Sequence, residues 1–179
     1  MNSVKSFDID LVKPTVLYRD AILGYKDEFA KNNEYISGSA SLGSTGTFEE
    51  WIANVDAEKF NNPKAKRVAA TQYLAVTKSD RKLVGMVSVR HELNDYLMQY
   101  GGHIGYSVRA SERRKGYATQ ILMLALAYCR TRGIPNVLVT CSKENIGSAT
   151  VIQHNGGILE NEVTDNEGAT VQRYWIALL

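Results

Sequence analysis

Three consecutive cations and a glycine, Arg113-Arg114-Lys115-Gly116, stand directly ahead of an apolar run that opens with Ala118. A helix starting here would expose four unpaired amide donors and about half a positive charge, a combination that attracts phosphate. Glycine lets the backbone approach a ligand closely or take a conformation closed to other residues. The stretch therefore reads either as a pyrophosphate cradle or as a turn glycine beside a solvated basic run. Two other phosphate loops are excluded. A Walker loop needs GxxxxGK followed by Ser or Thr, whereas here lysine precedes the glycine, and no GxGxxG lies at a strand-to-helix turn.

The elements around this stretch must position it. FDIDLV (7–12) alternates apolar and acidic residues as a half-buried strand does. A helix follows in TVLYRDAILGYKDEFAKNN, stopping at Asn32-Asn33. SGSASLGSTG (37–46) reads as a mobile surface loop, and Thr47 with Glu50 forms a capping-box pattern at the start of a second helix. VAATQYLAVT and KLVGMVSVRHEL flank a turn at Ser79-Asp80 and predict an antiparallel hairpin, with GGHIGYSV as a third strand of the meander. After the basic stretch comes a helix of about four turns ended by Gly133 and Pro135. NVLVTC is a strand buried on both faces, GSATVIQHNGG a short helix, and the tail a closing hairpin turning at TDNEGA.

Composition narrows the function classes. A net charge of +2, from 21 basic and 19 acidic residues among 179, is too balanced for a surface built to bind nucleic acid or anionic membrane. Any anion site is local. Cys129 and Cys141 show no CxxC pairing and lie in apolar runs, which suits buried thiols in a reducing, cytoplasmic compartment. The N-terminal residues lack an apolar core of signal-peptide length, and no segment reaches the roughly 18 apolar residues of a membrane span.

HIGYSVRASERRKGYATQIL resembles the strand, V-x-P-x-x-R-G-x-G loop and helix of the GNAT superfamily of acyl-CoA-dependent N-acyltransferases. Val108 falls at the strand end, with Ala110 where proline is usual. NVLVTCSKENIGSATVIQHNGG is similar to that family's next strand, its asparagine, and the following helix. The resemblance implies one α/β (α+β) domain over residues 1–179, a mixed, strongly twisted sheet of about six or seven strands flanked by about four helices. It also implies that the fourth and fifth strands run parallel and splay apart around acetyl-CoA, the acyl donor. By carry-over, backbone around Val108 would hold the pantetheine arm. The loop Arg113, Arg114, Lys115, Gly116, Tyr117, Ala118 and Thr119 would hold the pyrophosphate. Asn145 and Ser148 would meet the pantetheine from the far side, although Asn145 also reads as a helix cap.

Acyl transfer to an amine needs a neutral nucleophile, stabilisation of the developing oxyanion, and a proton for the departing thiolate. His103, five residues before Val108, is the candidate base, the other reading being a histidine hydrogen-bonded within the sheet. Glu92, after the third strand, is a second candidate for base or substrate anchor. Relatives often place a tyrosine where this chain has Ile152, so Tyr174 and Tyr106 are the substitute acids. HELND lacks the second histidine of HExxH, and with three histidines and no clustered thiolates no metal site is expected. Glu49, Glu50, Asp165 and Glu167 could attract a cationic amine, and the loop 37–46 could act as a lid. The expectation is an acetyl-CoA-dependent N-acetyltransferase acting on a primary amine of a small molecule, peptide or protein by direct attack in a ternary complex. A catalytically weak acyl-CoA-binding sensor is the alternative. Homodimers are common among relatives, and neither nucleic acid nor membrane is an expected partner.

Overall fold

The computed structural model describes residues 7–178. Strand β1 (Ile9–Val12) leads through one 3-10 turn into helix α1 (Arg19–Lys31), whose Ile22, Tyr25 and Phe29 recur at helical spacing and are buried. Asn33, at φ 53°, turns the chain out of the helix. Helix α2 (Phe48–Ala57) starts at Thr47, whose side chain accepts from the Glu50 amide while the Glu50 carboxylate accepts from the Thr47 amide. The capping box expected there is present.

Strands β2 (Ala70–Thr77), β3 (Leu83–Arg90) and β4 (Ile104–Val108) continue the antiparallel order β1-β2-β3-β4. Where Ala75 pairs with Gly85 but Val76 with Leu83, Val84 is an extra residue, a bulge in the central pair. One face of this sheet packs Leu74, Val76, Leu83 and Met86 against α1 and α2. The other packs Ala75, Val84, Val87 and Val89 against helix α3 (Tyr117–Thr131), through its buried Ile121, Leu122, Ala125 and Cys129. Strand β5 (Asn136–Ser142), helix α4 (Ile146–His154), and strands β6 (Ile158–Thr164) and β7 (Thr170–Ala177) follow, with strand order β5-β7-β6. Seven strands and four α-helices match the expected α/β architecture. Among the described residues no helix is long and apolar enough to cross a membrane.

Strand pairing stops between β4 and β5, so the strands form two sheets. Beside the seam the His103 amide donates to the Leu138 carbonyl at 2.7 Å, and side chains of both sheets share one buried core. The expected splay between fourth and fifth strands is this missing ladder. The segment 37–46 differs from its reading as a mobile surface loop: Ser39, Ala40 and Leu42 are buried, and the Trp51 indole donates to the Ser39 carbonyl at 2.7 Å. Gly38, at φ 65°, lies so close to β4 that a Cβ there would stand 1.9 Å from the Gly105 carbonyl oxygen. At Gly38 the absence of a side chain permits this close backbone approach. A π-type turn over Leu97–Gly101 has no counterpart in the sequence reading.

Candidate active site

A groove of about 620 Å³ opens beside β4 where the ladder ends, lined by Tyr106 to Val108, the loop 112–119 and the inner face of α4. The β3 ladder uses the backbone groups of alternate β4 residues: the Arg90 amide donates to His103 and the Arg109 amide to Val84. By the same alternation, the amides of Tyr106 and Val108 point to the open edge.

The loop is held from below. The Arg109 guanidinium pairs with Glu28, and the Ser111 amide donates to the same carboxylate at 2.8 Å. Arg113 reaches back to Glu34 and donates through Nε to the Val108 carbonyl at 3.0 Å. Buried Glu112 accepts from both Lys82 and Lys115, and these two ammonium groups hold its carboxyl below the usual range. Two of the three cations expected to add charge to the cradle are therefore engaged with carboxylates, and Lys115 does not line the groove. Of the three, Arg114 alone has no ion pair among the described residues.

Backbone supplies what those side chains do not. Arg114 has φ 63° and Gly116 φ 80°, so the chain turns twice through the left-handed region before α3 begins. None of the six amides from Arg114 to Thr119 has an acceptor among the described residues. A row of unpartnered amides at a helix start suits an anion. A Cβ on Gly116 would meet nothing within 4 Å, because it would project into the groove.

Of the residues expected to contact the donor, Val108, Arg113, Arg114, Gly116, Tyr117, Ala118, Thr119, Asn145 and Ser148 all line this groove. Asn145 caps α4, its Oδ1 accepting from the Ser148 amide at 3.0 Å, so the cap reading holds for that oxygen. Tyr35, Gly147, Thr150, Val151 and His154 also line the groove and were not anticipated. Gly147, Val151 and His154 recur at helical spacing along α4, a signal present in the sequence but weak without knowing which face of α4 is inward.

The catalytic candidates fare differently. His103 is buried at the seam of the two sheets, where its Nδ1 accepts from the Leu138 amide at 2.9 Å. Burial and the Arg90 charge push its pKa down to about 4. It does not line the groove, and the hydrogen bond expected of a histidine held within the sheet is present at its Nδ1. Glu92 is exposed in a separate hollow with Asn61, Arg67 and Asp95. Tyr174 is buried in the second sheet and donates to Gln172 at 2.8 Å, away from the groove. Tyr106 does reach it: its hydroxyl lies 2.9 Å from the Ser148 hydroxyl across the opening, and burial raises its pKa to about 12. Ile152 is fully buried in the core. Of the carboxylates expected to attract an amine, Glu49 pairs with Arg19, Glu50 caps α2, and Asp165 accepts from the Glu167 and Ala169 amides in the closing turn.

None of the curated proteins matches this sequence. A family model described as an acetyltransferase (GNAT) domain matches residues 19–158. Among solved structures, the Salmonella typhimurium acetyltransferase that modifies the N-terminal serine of ribosomal protein L7/L12 superposes with TM-score 0.68 at 17% identity, covering 97% of each chain. Mutant forms of the Vibrio cholerae spermidine/spermine N-acetyltransferase superpose with TM-score 0.65 at 16% identity, covering 95% of this chain and 94% of that one. The microcin C7 self-immunity acetyltransferase, solved with acetyl-CoA and AMP, gives 0.64 at 20% identity, over 97% and 94%. At these identities the likeness establishes the fold.

Proposed function

Because the chain belongs to the GNAT acetyltransferase family, we propose that it moves an acetyl group from acetyl-CoA to a primary amine by direct attack within a ternary complex. The observation that carries this reading is the row of unpartnered amides from Arg114 to Thr119 at the start of α3, beside the groove that five of these six residues line. They fit a pyrophosphate, and the edge amides of Tyr106 and Val108 fit the amide-bearing pantetheine arm. The donor supplies a thioester, whose C–S bond breaks as the acceptor nitrogen forms the new amide. The neutral amine loses one proton and the departing sulfur takes one, so the step needs no net proton source.

Tyr106 is the group that meets the departing sulfur. Its raised pKa keeps the phenol protonated at neutral pH, so it donates a hydrogen bond to a developing thiolate. The role expected of a tyrosine on α4 is thereby filled from β4, across the groove. Asn145 and Ser148 close the far wall.

Titration of acetyl-CoA followed by calorimetry, and thiol release with a panel of amines, test the reading. We expect binding in the micromolar range or tighter and amine-dependent thiol release. Absence of CoA binding would refute the cradle, and binding without any amine-dependent turnover would favour a sensor.

A further inference from the structure

We propose that the cavity lined by Glu58, Arg67 and Arg90 is the acceptor site and selects small amines that carry an anionic group, a carboxylate or a phosphate. The inference rests on the acetyltransferase reading of the neighbouring groove. The cavity, of about 200 Å³, lies on the face of the first sheet that packs against α1 and α2. Its floor includes Ser88, which pairs with Gly105 of β4, while Tyr106 and Val108 line the groove. Tyr35 lines both spaces. Donor and acceptor would therefore approach one strand, β4, from its two faces.

The charges in the cavity are arranged for a zwitterion. Glu58 is its one carboxylate, against Lys66, Arg67 and Arg90. Arg67 and Arg90 both act on the Glu58 carboxyl, yet among the described residues no ion pair within 4 Å joins Glu58 to any of them. Arg90 is instead held by the Gly101 and Gly102 carbonyls at 3.0 and 3.2 Å. Space remains between opposite charges. An ammonium fits beside Glu58, and a carboxylate or phosphate fits beside Arg67 and Lys66. A polyamine would bring several positive charges against three of its own sign.

Two further observations mark the cavity as built for a ligand. Ser88 is 5% exposed, and its hydroxyl has no hydrogen-bond partner among the described residues. Ala40, Ser41 and Lys66, three non-glycine residues at positive φ (50°, 63° and 51°), all line it. Such conformations cost energy and collect at functional sites. Burial raises the Glu58 pKa, which suits a group that takes a proton from an incoming ammonium. That transfer leaves neutral amine and protonated Glu58, and the amine nitrogen then attacks.

The test uses the whole chain with acetyl-CoA and matched amines: glycine and aspartate for carboxylate, phosphoethanolamine for phosphate, glycinamide and ethanolamine as neutral partners, and spermidine. We expect at least one anionic amine to exceed its neutral match in kcat/KM by about tenfold or more, the magnitude of one charged pair. Arg67→Gln should erase that preference through KM, and Glu58→Gln should lower kcat for every amine. Both variants should bind CoA within about twofold of wild type, since neither residue lines the groove. Glycinamide, ethanolamine or spermidine turned over as well as the anionic compounds would overturn the proposal, as would bound CoA with no turnover of any of them. Failure of the donor groove itself would appear separately, as loss of CoA binding by the wild-type chain.

Discussion

Gly116 takes a backbone at φ 80°, which favours glycine, and leaves open space where a side chain would otherwise stand. Gly116→Val should weaken CoA binding by about tenfold or more, because a branched side chain strains that conformation and fills the groove. Calorimetric titration checks it, and unchanged affinity would remove the pyrophosphate from this loop. The sequence offers Tyr106 and Tyr174 alike as substitute acids and does not choose between them. The structure singles out Tyr106 by its reach to Ser148 across the opening. Tyr106→Phe should lower kcat by about a hundredfold while leaving CoA affinity intact. Since its pKa lies at about 12, the wild-type rate should show no basic limb from this phenol between pH 7 and 10. A limb in that window that disappears in the phenylalanine variant would contradict the raised pKa, and an unchanged kcat in that variant would contradict the role.

At the scale of elements, the loop before α3 owes its shape to residues far away in sequence. Glu28 and Glu34 of α1 and its C-terminal turn hold Arg109 and Arg113, and Lys82 and Lys115 meet over buried Glu112. The basic cluster that draws attention in the sequence is largely a set of struts, which leaves the backbone to face the ligand. The segment 37–46 depends on packing in a related way: glycine and serine signal either mobility or close packing, composition does not distinguish them, and Ser39, Ala40 and Leu42 are buried. Gly38→Ala should destabilise the fold by about 3 kcal/mol or more, since its Cβ would overlap the Gly105 carbonyl and φ is 65°. Thermal unfolding measures this, and an unchanged Tm would show that the segment yields easily.

Across the whole molecule, the two sheets are joined at His103, so its titration bears on stability. Its pKa falls from 6.5 in the unfolded chain to about 4 in the native one, and the native state therefore binds fewer protons between these values. Stability is fully present above about pH 6.5 and declines as pH falls toward 4, by about 3 kcal/mol. Denaturant midpoints at pH 7 and 4.5 should differ in the wild type and converge in His103→Gln, and equal slopes in both would exclude this histidine as the cause. The sequence alone determined the element order, the capping box at Thr47, the glycine-bearing loop before α3 and the asparagine segment after β5. These are local: periodicity, caps and turn residues act within a few positions, and two motifs at proper spacing identified the family. Tertiary structure alone decided which charges are free and which are paired, and that His103 lies at the seam of the two sheets, bonded to Leu138. It also decided that Tyr106 reaches the groove and that Glu58 shares a cavity with Arg67 and Arg90. Those facts depend on contacts between residues many positions apart, whose pairing is set by how sheets and helices pack and not by any local pattern.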